Sequence, residues 1–195
     1  MSDIAELIVA ALADHGVTQV WGVVGDALNP ITDAIRRHDG IEWIGVRHEE
    51  AAAFAAGAQA QMTGRIGVCM GTVGPGSIHL LNGLYDAKKS HAPVLAICGQ
   101  VPTPDIGSDF FQEVNNDVLF ADVADFAQTI TSPGQLPQLL EQAVNIAYAE
   151  QESRCSRCPE TSARSRSRTT GRRSSPRNPP RWRHRPIRSR PPQMC

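Results

Sequence analysis

The chain has 195 residues, with 19 Lys plus Arg against 20 Asp plus Glu, 41% hydrophobic residues and five cysteines, which is enough for one core with an appendage. The near-neutral total hides two different polymers: residues 1–150 carry six basic against eighteen acidic side chains, a net of about −12, whereas residues 151–195 carry thirteen arginines against two glutamates, about +11. No run of 18 apolar residues occurs and no basic segment followed by an apolar one opens the chain, so neither a membrane span nor a secretory signal is expected and a cytoplasmic location follows.

Taken in chain order, the first 150 residues alternate helical and extended patterns. Asp3 with Glu6 resembles a capping pair, and Ile4, Leu7, Ile8 and Leu12 recur at helical spacing until Gly16 stops the turn. "VTQVWGVVG" then reads as a buried strand ending in Gly25. Asn29 as N-cap and Pro30 at the first helical position open a second helix that runs to about His38. A short strand, "IEWIGV", leads to an alanine-rich helix from about His48 to Met62. After it come a strand "RIGVCMG", a helix beginning near "GPGS", a strand "APVLAICG" and a long polar loop to about Asp117. A further strand near "DFAQTI" and a helix from about Pro133 to Glu150 complete the pattern. Cys69 and Cys98 lie inside the apolar runs, where a free thiol behaves as a small core residue.

Continuous apolar strands between helices of this length imply a parallel sheet covered on both faces, an α/β doubly wound fold, and in such sheets ligands bind at the carboxyl ends of the strands. Those ends carry three Gly-rich corners, "GVVGDALNP", "GTVGPGSIH" and the turn after "AICGQ". A glycine corner entering a helix points unpaired backbone N–H groups outward, a general device for anions or polar ligands, and it also serves plain strand-to-helix packing. Neither the dinucleotide G-x-G-x-x-G spacing nor the phosphate loop G-x-x-x-x-G-K-[ST] is present.

The segments "VWGVVGD" (20–26), "RHEEAAAFAAGAQAQMTGRIGVCMGTVGPGSIHLLNGLYDAKKSHAPVLAICGQ" (47–100) and "FFQEVNNDVLFADVADF" (110–126) together resemble the N-terminal pyrimidine-binding domain of thiamine-diphosphate enzymes. Within that superfamily the likeness is strongest to the pyruvate oxidase and quinone-linked pyruvate dehydrogenase branch, and it covers about residues 4 to 150. The resemblance implies a flavodoxin-like domain with a parallel sheet of five to six strands. It also implies a parent enzyme that decarboxylates a 2-oxo acid such as pyruvate and assembles as a homo-oligomer. In that parent, FAD and Mg2+ would sit with the diphosphate in further domains, and this chain alone is expected to be inactive.

By the same resemblance the functional glutamate is the one directly after the histidine of the "HE" pair, Glu49, with Glu50 a helix-end charge. A carboxyl hydrogen-bonded to the pyrimidine ring of thiamine favours the imino tautomer that removes the thiazolium C2 proton, and burial against apolar neighbours suits such a group. Gly25, Thr72 and Gly74 match the positions that approach the aminopyrimidine, with Val24 standing where many relatives have proline. His79 matches the histidine of the pyruvate oxidases, where acetolactate synthases have asparagine. Phe111 and Gln112 match the "FQE" segment lining the oxidase substrate pocket. The run Ala52, Ala53, Ala55, Ala56 and Gly57 allows another surface to come close, in the family that of a partner subunit. Asn82 is read as structural, and Asp86, Lys88 and Lys89 as a solvated helix end.

After Glu150 the pattern collapses into an Arg, Ser and Pro-rich stretch with almost no aliphatic residues, expected to be disordered. Residues 151–195 therefore form a separate tail, and the abrupt loss of pattern is what a truncated or out-of-frame product would give. Cys155 and Cys158 make one C-x-x-C without a second pair, so no metal site is expected. Two alternatives stay open: a fragment of an acetolactate synthase-like enzyme, and a non-catalytic domain whose basic tail meets nucleic acid through phosphates. Nucleic acid is not the partner favoured here.

Overall fold

The apolar runs become four parallel strands in the computed structural model, which describes residues 4–155. In chain order the elements are α1 (Ile4–Asp14), β1 (Gln19–Gly22), α2 (Asn29–Arg37), β2 (Glu42–Gly45), α3 (Glu49–Thr63), β3 (Gly67–Gly71), α4 (Pro75–Ser90), β4 (Val94–Cys98), the single turn α5 (Asn116–Leu119) and α6 (Leu136–Cys155). The strand order is β2-β1-β3-β4, all parallel, with Trp21 opposite Ile44 and Cys69, and Cys69 opposite Ala96. This is the expected α/β sheet with helices on both faces. No helix among the described residues is long and apolar enough to cross a membrane.

The two-residue period of the strands divides the core. Val20, Val68, Met70, Leu95 and Ile97 face α1, α2 and α6, where Leu12, Ile35, Leu136 and Val144 are buried; Trp21, Cys69, Ala96 and Cys98 face α3 and α4. Each fully buried Leu, Ile or Met contributes about 1.5–3 kcal/mol of burial free energy, so the first face, with Leu12, Leu28, Ile35 and Met70, is the thermodynamic bulk of the domain. The second face is thin and built of small residues. Its alanines are spent inside the chain: Ala52, Ala53, Ala56 and Ala60 are wholly buried. This corrects the expectation that the run makes room for a partner subunit. The small side chains let α3 approach the chain's own β3 and α4, and the residues that α3 turns outward include Ala51, Phe54, Ala58, Gln61 and Met62.

Other expectations shift in detail. Asp3, of the expected capping pair, lies outside the described residues. Asn29 is the first residue of α2 and not its N-cap, because a 3-10 turn, Asp26–Leu28, runs straight into the helix. His48 caps α3, its Nδ1 accepting the Glu50 N–H at 3.3 Å, and Gly64 ends that helix in the left-handed region at φ 68°. The strand expected at "DFAQTI" does not form. Residues 125–130 instead line, with β4 and α6, a largely apolar cleft of about 500 Å³, and no backbone ladder crosses it. Among the described residues the sheet thus has four strands, not five or six, and β4 is an edge whose five residues are only half-buried. Lys88 is not simply solvated: its Nζ meets Asp125 Oδ1 at 3.1 Å and the Asp122 carbonyl at 2.9 Å, tying α4 to the 122–125 segment. The tail expected at 151–195 lies outside the described residues from 156 onward; α6 itself runs on to Cys155.

The α3–α4 crossing makes a sharp stability prediction. A Cβ at Gly83 would sit 2.5 Å from Ala53 Cβ and 2.7 Å from the Phe54 backbone nitrogen, whereas one at Gly57 would find Ala87 Cβ at 3.4 Å. Alanine gains roughly 1 kcal/mol of helix propensity over glycine at either position. The backbone clash at Gly83 opposes that gain, and overpacking of this kind costs about 1–3 kcal/mol. In urea unfolding, Gly83→Ala is expected to lose about 1–2 kcal/mol net and Gly57→Ala to lose none; equal effects would contradict the close packing.

Candidate active site

All three glycine corners converge at the carboxyl ends of the strands. A Cβ on Gly25 would lie 2.5 Å from Thr72 Oγ1, and one on Gly99 would lie 2.9 Å from both Ala27 Cβ and the Val73 nitrogen. One on Gly76 would lie 2.8 Å from Thr72 Cγ2 and 3.2 Å from Glu49 Oε1. Only residues without side chains let these four segments touch, which is why the corners are glycine. Gly74, at φ 63°, has the Gln112 backbone carbonyl close behind it. Ser77, fully buried, braces the β3 corner by donating its hydroxyl to the Thr72 carbonyl at 3.0 Å.

Glu49 occupies the centre of this cradle. It is the first residue of α3, placed there by the turn out of β2, and its side chain is 10% exposed. Among the described residues it is the one charged group in the buried class. A buried carboxylate needs compensation, and two sources meet it: the N-terminus of α3, worth about 0.3–1 kcal/mol for a carboxylate at such a position, and His79 Nδ1 at 3.1 Å from Oε2; Gly76 lies against the other oxygen. The His79 ring, on α4, stacks on that of His48 with centroids 4.4 Å apart. Glu50 points elsewhere: its Oε1 accepts from Asn82 Nδ2 at 2.6 Å and its Oε2 stands 3.9 Å from His48 Nδ1.

The structure therefore brings together Gly25, Glu49, Thr72 and His79 directly, with Gly74 and Gln112 at the rim. Phe111 is not packed into this group and is 81% exposed beside Gln112. The loop carrying both is closed by Glu113, whose carboxylate accepts the N–H groups of Gly107 and Phe110, the latter at 3.1 Å. These amides, Gly107 first, hold the Glu113 carboxyl below the usual glutamate range. Three participants were not singled out from sequence: His48, Gly76 and Ser77. Each lies within three residues of one that was, in "RHEE" or "GPGS", so the signal was local but carried no partner information. The thiols are not nucleophile candidates. Burial pushes Cys98 up to about 11, against a lowering contact from Ser77, and raises Cys69 further.

The corners thus set a buried carboxyl, an imidazole and the Thr72 side chain close together at the carboxyl ends of the strands. Residues 2–119 match the family model "Thiamine pyrophosphate enzyme, N-terminal TPP binding domain". The chain is 48% identical over 140 residues to the putative thiamine pyrophosphate-containing protein YdaP of Bacillus subtilis, covering 71% of this chain and 24% of that protein. It is 46% identical over 145 residues to pyruvate oxidase of Lactiplantibacillus plantarum, covering 74% and 24%. To the acetolactate synthase isozyme 2 large subunit of Escherichia coli it is 42% identical over 145 residues, covering 73% and 26%. The chain thus spans about a quarter of the length of these relatives.

Ser77→Ala removes the donor of a part-buried bond to the Thr72 carbonyl and is expected to cost about 0.5–1.5 kcal/mol in urea unfolding; a neutral result would remove Ser77 as the brace of the corner. For Glu113 the folded carboxyl is depressed, so its clasp is fully present above the ordinary glutamate range and is lost as pH falls through the lower folded value. Amide exchange in residues 106–115 should accelerate only below about pH 4, and Glu113→Gln should accelerate it already at neutrality.

Proposed function

The chain belongs to the thiamine pyrophosphate enzyme family, through its N-terminal TPP-binding domain, and from that premise we propose that residues 1–150 are the pyrimidine-binding part of a pyruvate oxidase-type enzyme, with Glu49 as its proton relay. One observation carries the reading: a buried carboxylate at a helix start, set against Gly76 and His79 where the glycine corners meet at the carboxyl ends of parallel strands. That donor set suits an aminopyrimidine edge, because a ring nitrogen needs a carboxyl partner in the ring plane. When bound, thiamine diphosphate supplies the thiazolium that stabilises the carbanion of 2-oxo acid decarboxylation.

The residues of this chain then divide the work. Glu49 holds or releases one proton at its carboxyl oxygens, inside a pocket where water is largely excluded. His79 positions that carboxyl through its 3.1 Å contact and, with Phe111 and Gln112, faces the substrate side. Gly25, Thr72 and Gly74 set the width of the slot. The oxidase reading is favoured over acetolactate synthase by the higher identity, 46% against 42%, and by the imidazole that His79 sets against Glu49. FAD, Mg2+ and the diphosphate belong in this reading to the parent enzyme's other domains, so the chain alone does not turn over. The parent is a cytoplasmic homo-oligomer acting on pyruvate.

Glu49→Gln should weaken binding of thiamine about 10-fold or more, the worth of a hydrogen bond to a charged group, whereas Glu50→Gln should change it less than about threefold. Equal losses would show that Glu49 has no special role. Residues 1–150 joined to the remaining domains of the Lactiplantibacillus plantarum enzyme should oxidise pyruvate and lose that activity in His79→Asn; acetolactate formation instead would sink the oxidase assignment.

A further inference from the structure

His48, Glu49 and His79 each offer one ligand atom, and these atoms all lie within 4.8 Å of one another. His79 Nδ1 and Glu49 Oε2 are already 3.1 Å apart. Two ligands on one tetrahedral zinc-like ion, at metal–ligand distances near 2.0–2.1 Å, stand about 3.3 Å apart. His79 and Glu49 need almost no adjustment, and the half-exposed His48 ring has to turn out of its stack on His79 and its cap on α3 to join them. Two imidazole nitrogens and one carboxylate oxygen, both imidazoles being partly exposed to solvent, make the donor set of an open zinc site; hard ions that demand oxygen ligands are poorly served by it.

An outer shell is present as well. Glu50 Oε2 stands 3.9 Å from His48 Nδ1, and Asn82 holds the same carboxylate from the other side at 2.6 Å. Binding a metal through Nε2 would turn His48 Nδ1 from acceptor of the Glu50 N–H into an N–H donor facing that carboxylate, the arrangement that orients metal-bound histidines. This gives Glu50 and Asn82 a joint task that a helix-end charge alone does not explain.

We propose that His48, Glu49 and His79 form a binding site for a transition ion of the zinc class, and that this ion and an aminopyrimidine exclude one another because both need the Glu49 carboxylate. The exclusion, but not the metal site, rests on the function proposed above. The ion would then be an inhibitor of cofactor loading and not a helper in it.

The test uses the full chain with Co2+ and Zn2+. Because Cys155, Cys158 and Cys195 are also present, the ligand type is read from the cobalt spectrum: visible bands without thiolate-to-cobalt charge transfer support the site. Calorimetry with Zn2+ should give one such equivalent, weakened at least about tenfold in His48→Ala and in His79→Ala and less in Glu50→Gln, with far-UV circular dichroism unchanged. Mg2+ should not compete. Should either variant fail to fold, the unmodified chain still decides: Zn2+ must protect His48 and His79 from carbethoxylation. Unaltered affinity in folded variants, a thiolate spectrum alone, or no protection overturns the site. Thiamine, which lacks a chelating diphosphate, should raise the apparent Kd for Zn2+; histidine-dependent zinc binding indifferent to saturating thiamine would uphold the metal site and overturn the pyrimidine reading of Glu49.

Discussion

The close crossing of α3 and α4 over β3 is the constraint on which the rest of this structure depends. Ala53 against Gly83, Gly57 against Ala87, and the Ala56 carbonyl against Gly67 leave no room for larger residues. The helices reach this separation because the residues at their closest approach are glycine and alanine, and dispersion between closely packed backbones replaces the large side chains that hold the opposite face. The consequence is positional. With α3 and α4 so close, the first turn of one and the second turn of the other face each other, and Glu49 meets His79 across the gap at 3.1 Å. Two further anchors fix α3 along its length: Trp21 donates to Gln59 at 2.8 Å, and Gln59 donates to Gln19 at 3.0 Å, so the helix is registered on β1 as well.

Burial of Glu49 follows from this geometry and not from its own chemistry. A carboxylate at a helix start would ordinarily be solvated, as Glu50 beside it largely is. One residue of helical rotation, about 100°, separates the two. It turns Glu49 toward the β3 corner and Glu50 toward Asn82. The neighbouring glycines do not bind anything by themselves; by lacking side chains they let the β1 corner close on Thr72 and Gly76 close on Thr72 and the Glu49 carboxyl. A site of this kind is stiff where it touches the sheet and adaptable at its rim, where the Glu113-clasped loop presents Phe111 to solvent.

Much of the fold could be read from residue patterns. Helices at Ile4–Asp14, Asn29–Arg37, Glu49–Thr63 and Pro75–Ser90 follow from periodicity and punctuation by Gly, Pro and cap residues, and the apolar runs at Gly67–Gly71 and Val94–Cys98 follow from length and β-branched content. What failed depends on partners. "DFAQTI" has strand composition, but a strand exists only where a neighbour takes up its N–H and C=O groups, and here an apolar cleft lies between it and β4. The alanines signalled a close approach correctly while the approaching surface was misassigned, since composition states how near a neighbour comes and not which neighbour it is. Lys88 read as solvated because its acceptors, Asp122 and Asp125, lie more than thirty residues away in the chain.

The sequence by itself determined the alternation of helices and parallel strands, the glycine corners at the strand ends, and the presence of an acid directly after a histidine at the start of α3, because each is a matter of local sterics, hydrogen-bond punctuation and apolar period. The family resemblance singled out Glu49 from its neighbour before any contact was known. Only the tertiary structure decided that Glu49 is buried while Glu50 is held by Asn82, that His48 and His79 stack beside it, that the alanine face is consumed within the chain, and that β4 is left as an edge. Those outcomes are set by contacts between residues 30 or more apart and by the volume that neighbouring side chains leave unfilled, neither of which is encoded at any one position.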